Sequence, residues 1–409
     1  MMRIRKHIAL GLCVVGLGVL GLAGAAAQGT GQKASQTRAK QSGAPDYQAT
    51  AWQIVHESVQ VKDREGVLII GDASKIPLME AIAIEVAKKG AFPHMVLDSQ
   101  TVTKRIITEA PLEYLETPNA MTIAEFKKAD VMIALSAEDP TTLAKVPEER
   151  VARVRKASQV VTDVMYSRPL RTVTLGNPVM PSAAVARFYG VPQAEMETRF
   201  WQAVNTPHTA IEENGNKVKQ ALASGREVRI RTQEGTDLRL NLVNDRGVHL
   251  SDGQIHSQPV DKPAQAWLPA GEVYTAPDAT SVNGTVFVPL ADYRGIKIRD
   301  LRVTFVNGKV TRIEAAQNAE ALKQALAQSS GDKDVFSFLD IGVNPNSRTI
   351  GNSNYCTYEM AGMVTIGIGQ APWAPGCTNQ SEFGQEFFIP RATLEVDGRV
   401  IVKEGKIAI

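Results

Sequence analysis

Short apolar runs alternate with helix-like segments in the first half of the chain. The helix-like segments include PLMEAIAIEVAKKG (77–90) and SAAVARFYG (182–190). The apolar runs are GVLII (66–70), HMVL (94–97), ADVMIAL (129–135) and RTVTL (171–175). Strands that alternate with helices are typical of βαβ units, which build parallel sheets. The pattern therefore predicts an α/β domain with a mainly parallel sheet over residues 49–220.

The second half of the chain is richer in alternating strands. REVRIRTQEGTDLRLNLV (226–243) predicts two strands around Glu234-Gly235, and the tail from residue 392 predicts a meander. Asn307-Gly308 lies between two alternating runs, which is a strong hairpin signal. One helix is predicted over 319–328. We therefore expect an α+β, strand-rich C-terminal domain over residues 221–409.

The N-terminus has the composition of an export signal. Basic residues precede an apolar, Gly-rich run from Ile8 to Ala27 that ends in small side chains. This predicts a signal peptide over 1–27 and a periplasmic or extracellular protein that meets the membrane only through this segment. An uncleaved membrane anchor is the alternative. The polar residues 28–48 predict a disordered linker.

Charge and motifs exclude several function classes. The formal net charge is only +2, from 45 basic and 43 acidic residues, which argues against nucleic acid as a partner. The turn GDASK (71–75) lacks the glycine spacing of a dinucleotide site, and the chain contains no P-loop and no G-x-S-x-G element. In an exported protein, Cys356 and Cys377 predict a disulfide, with two free thiols or a metal pair as alternatives.

Two groups of residues are candidates for metal chemistry. His249, Asp252 and His256 have a spacing that could surround one ion, but they lie in GVHLSDGQIHSQ (247–258), which is predicted to be a mobile loop. Glu272 and Asp340 are carboxylates in apolar, strand-forming surroundings. The alternative for Asp340 is a structural role, hydrogen-bonded to the backbone or paired with an arginine. The candidate arginines are Arg294, Arg299 and Arg348.

Three segments carry a resemblance to a known family. PAGEVYTAPDATSVNGTV (269–286), GTDLRLNL (235–242) and FLDIGVNPNSR (338–348) resemble the metallo-aminopeptidase family that includes aminopeptidases S and T. The resemblance implies a two-metal hydrolase that removes N-terminal residues from peptides, built as a two-domain homodimer. It also implies a divalent metal (zinc, cobalt, manganese or magnesium) in the domain over 221–409, although a site without metal stays open.

The resemblance maps the family's ligands onto individual positions. Glu272 matches one glutamate, Asp340 stands at the second, Thr365 replaces a histidine and Pro372 replaces a tyrosine. The family's His-x-Asp pair would fall within SEFGQEFFIP (381–390), which has neither residue, and no histidine follows His256. Candidates to rebuild an all-oxygen site, which would favour magnesium, manganese or calcium over zinc, are Glu359, Glu382 and Glu386. Alternatively, these glutamates are surface acids on loops.

Three hypotheses about function follow from this degraded ligand set. The protein is a peptide hydrolase with a reduced or relocated metal site. Alternatively, it is a catalytically silent relative that binds a peptide or a small molecule in the same cleft. The third hypothesis is different metal-dependent chemistry, against which the lack of histidines after residue 256 counts. A disulfide between Cys356 and Cys377 would bracket the altered segment.

Overall fold

The computed structural model of the chain describes residues 45–136, 142, 146–177, 179–243, 247–256, 264–293, 295–351, 353–355, 357–371, 373–381 and 383–409. The predicted signal peptide and most of the predicted linker lie outside these ranges. The first helix, α1, spans Tyr47–Trp52 and therefore includes the last two residues of the predicted linker. No helix in the described ranges has the length and apolar character needed to cross a bilayer.

The first half of the chain forms a parallel sheet with helices packed against it. The strand order is β2-β1-β3-β4-β8, and every neighbouring pair is parallel. The strands are β1 (Gly66–Gly71), β2 (Phe92–Leu97), β3 (Val131–Leu135), β4 (Arg171–Leu175) and β8 (Ala264–Leu268). The helices after α1 are α2 (Ile76–Lys88), α3 (Gln100–Glu109), α4 (Leu112–Leu115), α5 (Ala120–Lys128), α6 (Glu148–Tyr166), α7 (Ala183–Tyr189), α8 (Gln193–Val204) and α9 (His208–Ser224).

Two antiparallel sheets follow. The larger has the order β12-β11-β10-β6-β5-β16-β17-β18, and the smaller has the order β15-β14-β13-β9-β7. The larger sheet comprises β5 (Glu227–Arg231), β6 (Asp237–Asn241), β10 (Asp278–Tyr293), β11 (Ile296–Val306), β12 (Lys309–Glu314), β16 (Thr393–Val396), β17 (Arg399–Lys403) and β18 (Lys406–Ile407). The smaller comprises β7 (His249–Ser251), β9 (Glu272–Thr275), β13 (Phe336–Gly342), β14 (Val364–Gly369) and β15 (Gly384–Ile389), and α10 spans Ala319–Gln328. The predicted fold class is confirmed.

Local sequence explains several of these elements. Asn307 and Gly308 join β11 to β12 with positive φ at both residues, as the Asn-Gly signal predicts. The segment predicted as a mobile loop around His249 contains the short strand β7 instead, because His249–Ser251 pair with β9. That expectation was wrong: the strand-forming contact is with a distant part of the chain and leaves no local signal.

The fifth strand of the parallel sheet comes from beyond the predicted domain boundary. Arg171 pairs with Ala264 and Leu175 with Leu268. Strand β8 therefore belongs to the parallel sheet, although β5, β6 and β7, which precede it in the sequence, belong to the antiparallel sheets. Only Pro269, Ala270 and Gly271 separate β8 from β9 of the smaller antiparallel sheet. Glu272, the first residue of β9, therefore lies where the chain passes from one sheet to the other.

Candidate metal centre

Strand pairing in the smaller sheet brings the predicted site residues to one face. Asp340 lies opposite Tyr274 on one side and Thr365 on the other. Glu272 is two residues from Tyr274, and side chains two residues apart in a strand point to the same face. Glu272, Asp340 and Thr365 therefore share a face of the sheet, which we call the acidic face.

A third carboxylate joins this face from a loop. Glu359 lies in the segment between β13 and β14, where its backbone oxygen accepts a hydrogen bond of 2.7 Å from the Asn344 amide. Its side chain is 0% exposed, compared with 1% for Asp340 and 8% for Glu272. The alternative that Glu359 is a surface acid is therefore wrong.

The buried oxygens of this cluster have few hydrogen-bond partners. Asp340 Oδ1, both carboxylate oxygens of Glu359 and Thr365 Oγ1 are buried and accept or donate no hydrogen bond within the described ranges. Glu272 Oε1, in contrast, accepts a hydrogen bond of 2.9 Å from Asn177 Nδ2. Native proteins rarely leave buried polar atoms unpaired, so these oxygens are suited to bind a cation or an ordered water.

The electrostatics point to the same conclusion. Burial raises the pKa of Glu272 to about 7, against the opposing effect of the Asn177 hydrogen bond. Burial, and then the charge of Glu272, raises the pKa of Asp340 well above its usual value, and the same two causes raise that of Glu359. No lysine or arginine of the described chain forms an ion pair with these three groups. Ionised carboxylates buried together are costly unless a proton or a cation neutralises them.

An arginine partner for Asp340 is not found among the described residues. Arg348 donates to the backbone oxygen of Ser347 at 2.7 Å, and Arg299 pairs through its backbone in β11. Arg294 lies outside the described ranges. The interpretation of Asp340 as half of a buried ion pair therefore has no support from the arginines that the structure describes.

Glu386 lies at the edge of the acidic face and contacts a tyrosine. It is opposite Gly367 in β15, is partly buried, and lies within hydrogen-bonding reach of the Tyr358 hydroxyl. Burial raises its pKa, and the Tyr358 hydrogen bond lowers it. The Tyr358 ring packs edge-on against Phe388, with 4.7 Å between ring centroids. Glu386 therefore interacts first with Tyr358 rather than with the three buried carboxylates.

The donors present suit a hard divalent cation. The cluster offers the carboxylates of Glu272, Asp340 and Glu359 and the hydroxyl of Thr365, all of which are oxygen donors. Magnesium, manganese and calcium prefer oxygen ligands, whereas zinc sites usually include imidazole or thiolate. Of the other predicted positions, Glu382 and Pro372 lie outside the described ranges.

The predicted disulfide is also not covered by the structure. Cys356 lies outside the described ranges, so its pairing with Cys377 stays a prediction. Cys377 packs beside Tyr274 and Phe338, close to the acidic face.

The histidine motif assembles differently from its sequence spacing. His256 Nε2 lies 2.5 Å from Asp252 Oδ2, and the third group that could share an ion with them is Glu212 of α9. His249 instead packs against the Tyr274 ring, with 5.0 Å between ring centroids. The expected trio is therefore not formed, because strand pairing draws His249 away from Asp252.

Asn177 is a site residue that the sequence did not reveal. It follows β4, at the carboxyl end of a parallel strand, and its backbone amide donates to Leu268 at 3.2 Å. Ligand-binding groups collect at this edge of α/β sheets, so the polar residue after RTVTLG was the available signal. Its partner lies 95 positions away, and no local pattern specifies that contact.

Comparison with known proteins agrees with this architecture. Aminopeptidase T from Thermus aquaticus is 29% identical over 223 residues, covering 50% of this chain and 54% of the relative, so the match spans about half of that protein. Aminopeptidase T from Thermus thermophilus is 23% identical over 303 residues, 68% of this chain and 72% of the relative.

Solved structures show the same fold. Wild-type AmpT from Thermus thermophilus superposes with a TM-score of 0.72 at 19% identity, covering 89% of this chain and 99% of that one. A 2,5-dihydroxypyridine dioxygenase from Pseudomonas putida KT2440 has a TM-score of 0.55 at 13% identity, with coverage of 88% and 96%. Both likenesses concern the fold alone.

The family match includes all three buried carboxylates. Residues 45–361 match the thermophilic metalloprotease (M29) family, a range that contains Glu272, Asp340 and Glu359 and ends before β14. The chain therefore belongs to the M29 family of thermophilic metalloproteases.

Proposed function

We propose that the protein is an exported, metal-dependent aminopeptidase whose site holds one hard divalent cation on Glu272, Asp340 and Glu359. The observation that carries the proposal is the set of buried carboxylate oxygens on the acidic face that have no hydrogen-bond partner among the described residues. Membership of a metallopeptidase family supplies the reaction class, and the name of its relatives, aminopeptidase T, denotes an enzyme that removes N-terminal residues. Peptides are the proposed substrates.

A bound cation at this site would polarise the scissile carbonyl and lower the pKa of an attacking water. The chain's own residues would do the rest. Asn177 holds the Glu272 carboxylate in one orientation through its 2.9 Å hydrogen bond. Burial keeps bulk water from the carboxylates, which strengthens their attraction for a cation. Thr365 Oγ1, unpaired beside Asp340, is available to a ligand or a water.

A catalytically silent protein that binds peptides is the second candidate. It is favoured by the lack of a histidine at Thr365, where the family resemblance places one, and by the position of His249, which lies against the Tyr274 ring on the same face. A site with oxygen donors alone binds transition metals less tightly than one with histidines. Different metal-dependent chemistry in the same cleft is a further alternative, for which the fold likeness to a dioxygenase gives no site evidence.

Export and assembly complete the proposal. The basic and apolar composition of residues 1–27 supports transfer to the periplasm or the medium. A homodimer is proposed from the resemblance alone. Fractionation of cells that express the full chain tests export, and sedimentation of the purified protein tests the homodimer.

Titration calorimetry of the metal-free protein with Mn²⁺, Mg²⁺, Ca²⁺ and Zn²⁺ tests the cation site directly. We expect one ion per chain, a raised melting temperature on binding, and loss of both effects in Glu272→Gln. Glu109→Gln on exposed helix α3 is the matched control and keeps both. Hydrolysis of Leu-4-nitroanilide and of a leucine-initiated tripeptide, each with the preferred cation, then separates the two candidates. Binding without turnover favours the silent relative, and absence of binding contradicts the cation site.

A further inference from the structure

We propose a second metal site, formed by Glu212, Asp252 and His256, that takes one transition-metal ion of the zinc type. The three side chains each offer one ligand atom, and these atoms all lie within 4.8 Å of one another. The site is separate from the acidic face and does not depend on the proposed function. Its donors also differ, because they include an imidazole, which suits zinc and nickel better than magnesium and calcium.

The packing of β7 against α9 brings these three residues together. Leu250 of β7 lies so close to Gly215 of α9 that a Cβ on Gly215 would be 2.4 Å from Leu250 Cδ1. Asp252 is two residues after Leu250 and therefore faces the same helix. Glu212 is three residues before Gly215, on the same side of α9. The helix thus presents a carboxylate to the end of the strand.

The new site and the acidic face lie on opposite sides of the smaller sheet. Ser251 is directly opposite Glu272, so its side chain belongs to the acidic face. Asp252 is the next residue, and side chains of consecutive residues in a strand point to opposite faces. An ion on Asp252 is therefore not held by the carboxylates of the acidic face.

Hydrogen bonds hold the turn that carries Asp252 and His256. His208, one turn before Glu212 on α9, donates through Nδ1 to the Asp252 backbone oxygen at 2.7 Å. The amide of Ile255 donates to the Ser58 backbone oxygen at 2.9 Å, which fixes the chain next to His256. The ligands are thus positioned before an ion arrives, which lowers the cost of ordering them.

The protein supplies too little positive charge for this group. The Asp252 side chain is 2% exposed, and its Oδ2 lies 2.5 Å from His256 Nε2. The Glu212 carboxylate has no hydrogen bond or ion pair with any residue that the structure describes. Two carboxylates are therefore brought together with at most one positive charge, that of a protonated His256. A divalent cation neutralises both.

A bound ion would take the place of the proton between His256 and Asp252. The imidazole keeps its proton on Nδ1, and Nε2 then offers a lone pair to the metal. Metal–ligand bonds of about 2.1 Å place the ligand atoms of a tetrahedral site roughly 3.4 Å apart, so the close contact to Asp252 opens and Glu212 moves nearer. The His256 side chain is 59% exposed, which leaves the remaining coordination position to water.

Zinc titration of the metal-free protein in excess Mg²⁺ tests the site, because Mg²⁺ competes for oxygen ligands and poorly for imidazole. We expect one zinc ion per chain at this site, additional to any ion on the acidic face and retained in Glu272→Gln. His256→Ala and Glu212→Gln should each lower the zinc affinity by more than the roughly 10- to 100-fold lost with an orienting partner. Co²⁺ gives a second readout, a visible absorption band that should disappear in His256→Ala.

Two variants are matched controls. Glu213→Gln changes the exposed neighbouring carboxylate of α9, which pairs with Lys217. His94→Ala breaks the 3.6 Å pair of His94 with Glu125, which has no third ligand within the described ranges. Both should bind zinc as wild type does.

Three results overturn the inference. They are a wild type that binds no zinc in excess Mg²⁺, zinc binding that His256→Ala keeps, and an equal loss of zinc affinity in the control variants. Zinc binding that depends on His256, in a protein whose acidic face binds no cation, is a different result. It contradicts the proposed function and leaves this inference standing.

Discussion

Asn177 Nδ2 donates a 2.9 Å hydrogen bond to Oε1 of Glu272, joining the end of a parallel strand to the first residue of β9. This contact links the α/β sheet to the acidic face. No side chain of the described chain donates such a bond to Glu359 or to Oδ1 of Asp340, so Asn177 is the side chain that orients a carboxylate of this cluster. Groups that orient metal ligands contribute to affinity without touching the ion.

We therefore expect Asn177→Ala to weaken cation binding by about 10- to 100-fold, the usual effect of losing such a partner. Titration calorimetry measures this. Asn119→Ala, which removes the N-terminal cap of α5, is the control. It should lower stability by about 1 kcal/mol and leave cation affinity unchanged. Equal affinities in Asn177→Ala and wild type would remove the orienting role.

The buried carboxylate of Glu359 is expected to lower the stability of the metal-free protein and to contribute to cation binding. Glu359→Gln replaces an unpaired carboxylate with a neutral amide of similar shape, so the metal-free protein should become as stable as wild type or more stable. Cation binding should fall strongly. Thermal melts with and without EDTA measure both effects, and EDTA should lower the melting temperature of wild type only. A destabilised metal-free variant that still binds the cation would contradict a ligand role for Glu359.

Thr365 offers a test of cation preference. It is fully buried and lies in register with Asp340, at the position where the family resemblance places a histidine. Thr365→His adds an imidazole donor, which zinc and cobalt favour over magnesium and calcium. We expect the ratio of Zn²⁺ to Mg²⁺ affinity to rise at least tenfold. Thr365→Val, which removes the hydroxyl and adds no donor, should leave that ratio near its wild-type value.

Asn344 is expected to stabilise the fold next to the acidic face through its buried hydrogen bonds. Its buried Nδ2 donates to the backbone oxygens of Ala203 and Ala270, and its Oδ1 accepts from Thr206 Oγ1. Asn344→Ala leaves these groups unsatisfied and should lower the free energy of unfolding by about 3 kcal/mol. Urea denaturation measures it. Asn214→Ala removes one long bond of 3.4 Å to Val343 and should cost much less.

The backbone at Gly271 passes close to the Asn344 side chain. Gly271 has a φ of +125°, and a Cβ there would lie 2.6 Å from Asn344 Cβ. Glycine is therefore needed both for its backbone conformation and for the space. Glu272 follows directly, so this close approach fixes where its side chain enters the site.

Much of the fold was specified locally. Alternating apolar runs gave the strands of both halves, and Asn307-Gly308 gave the hairpin between β11 and β12. The same patterning marked Glu272 and Asp340, because a carboxylate within a buried strand departs from the usual exposure of acidic residues. These signals need only neighbouring residues, whose periodicity determines which side chains turn inward.

The rest was decided by contacts between distant parts of the chain. The entry of β8 into the parallel sheet, the bond from Asn177 to Glu272 and the burial of Glu359 each join segments that are far apart in sequence. Glu359 in particular has no local pattern that separates it from a surface acid. The sequence by itself determined which strands form and that two carboxylates are unusual. Only the tertiary structure decided which groups face one another, because burial and charge act between neighbours in space.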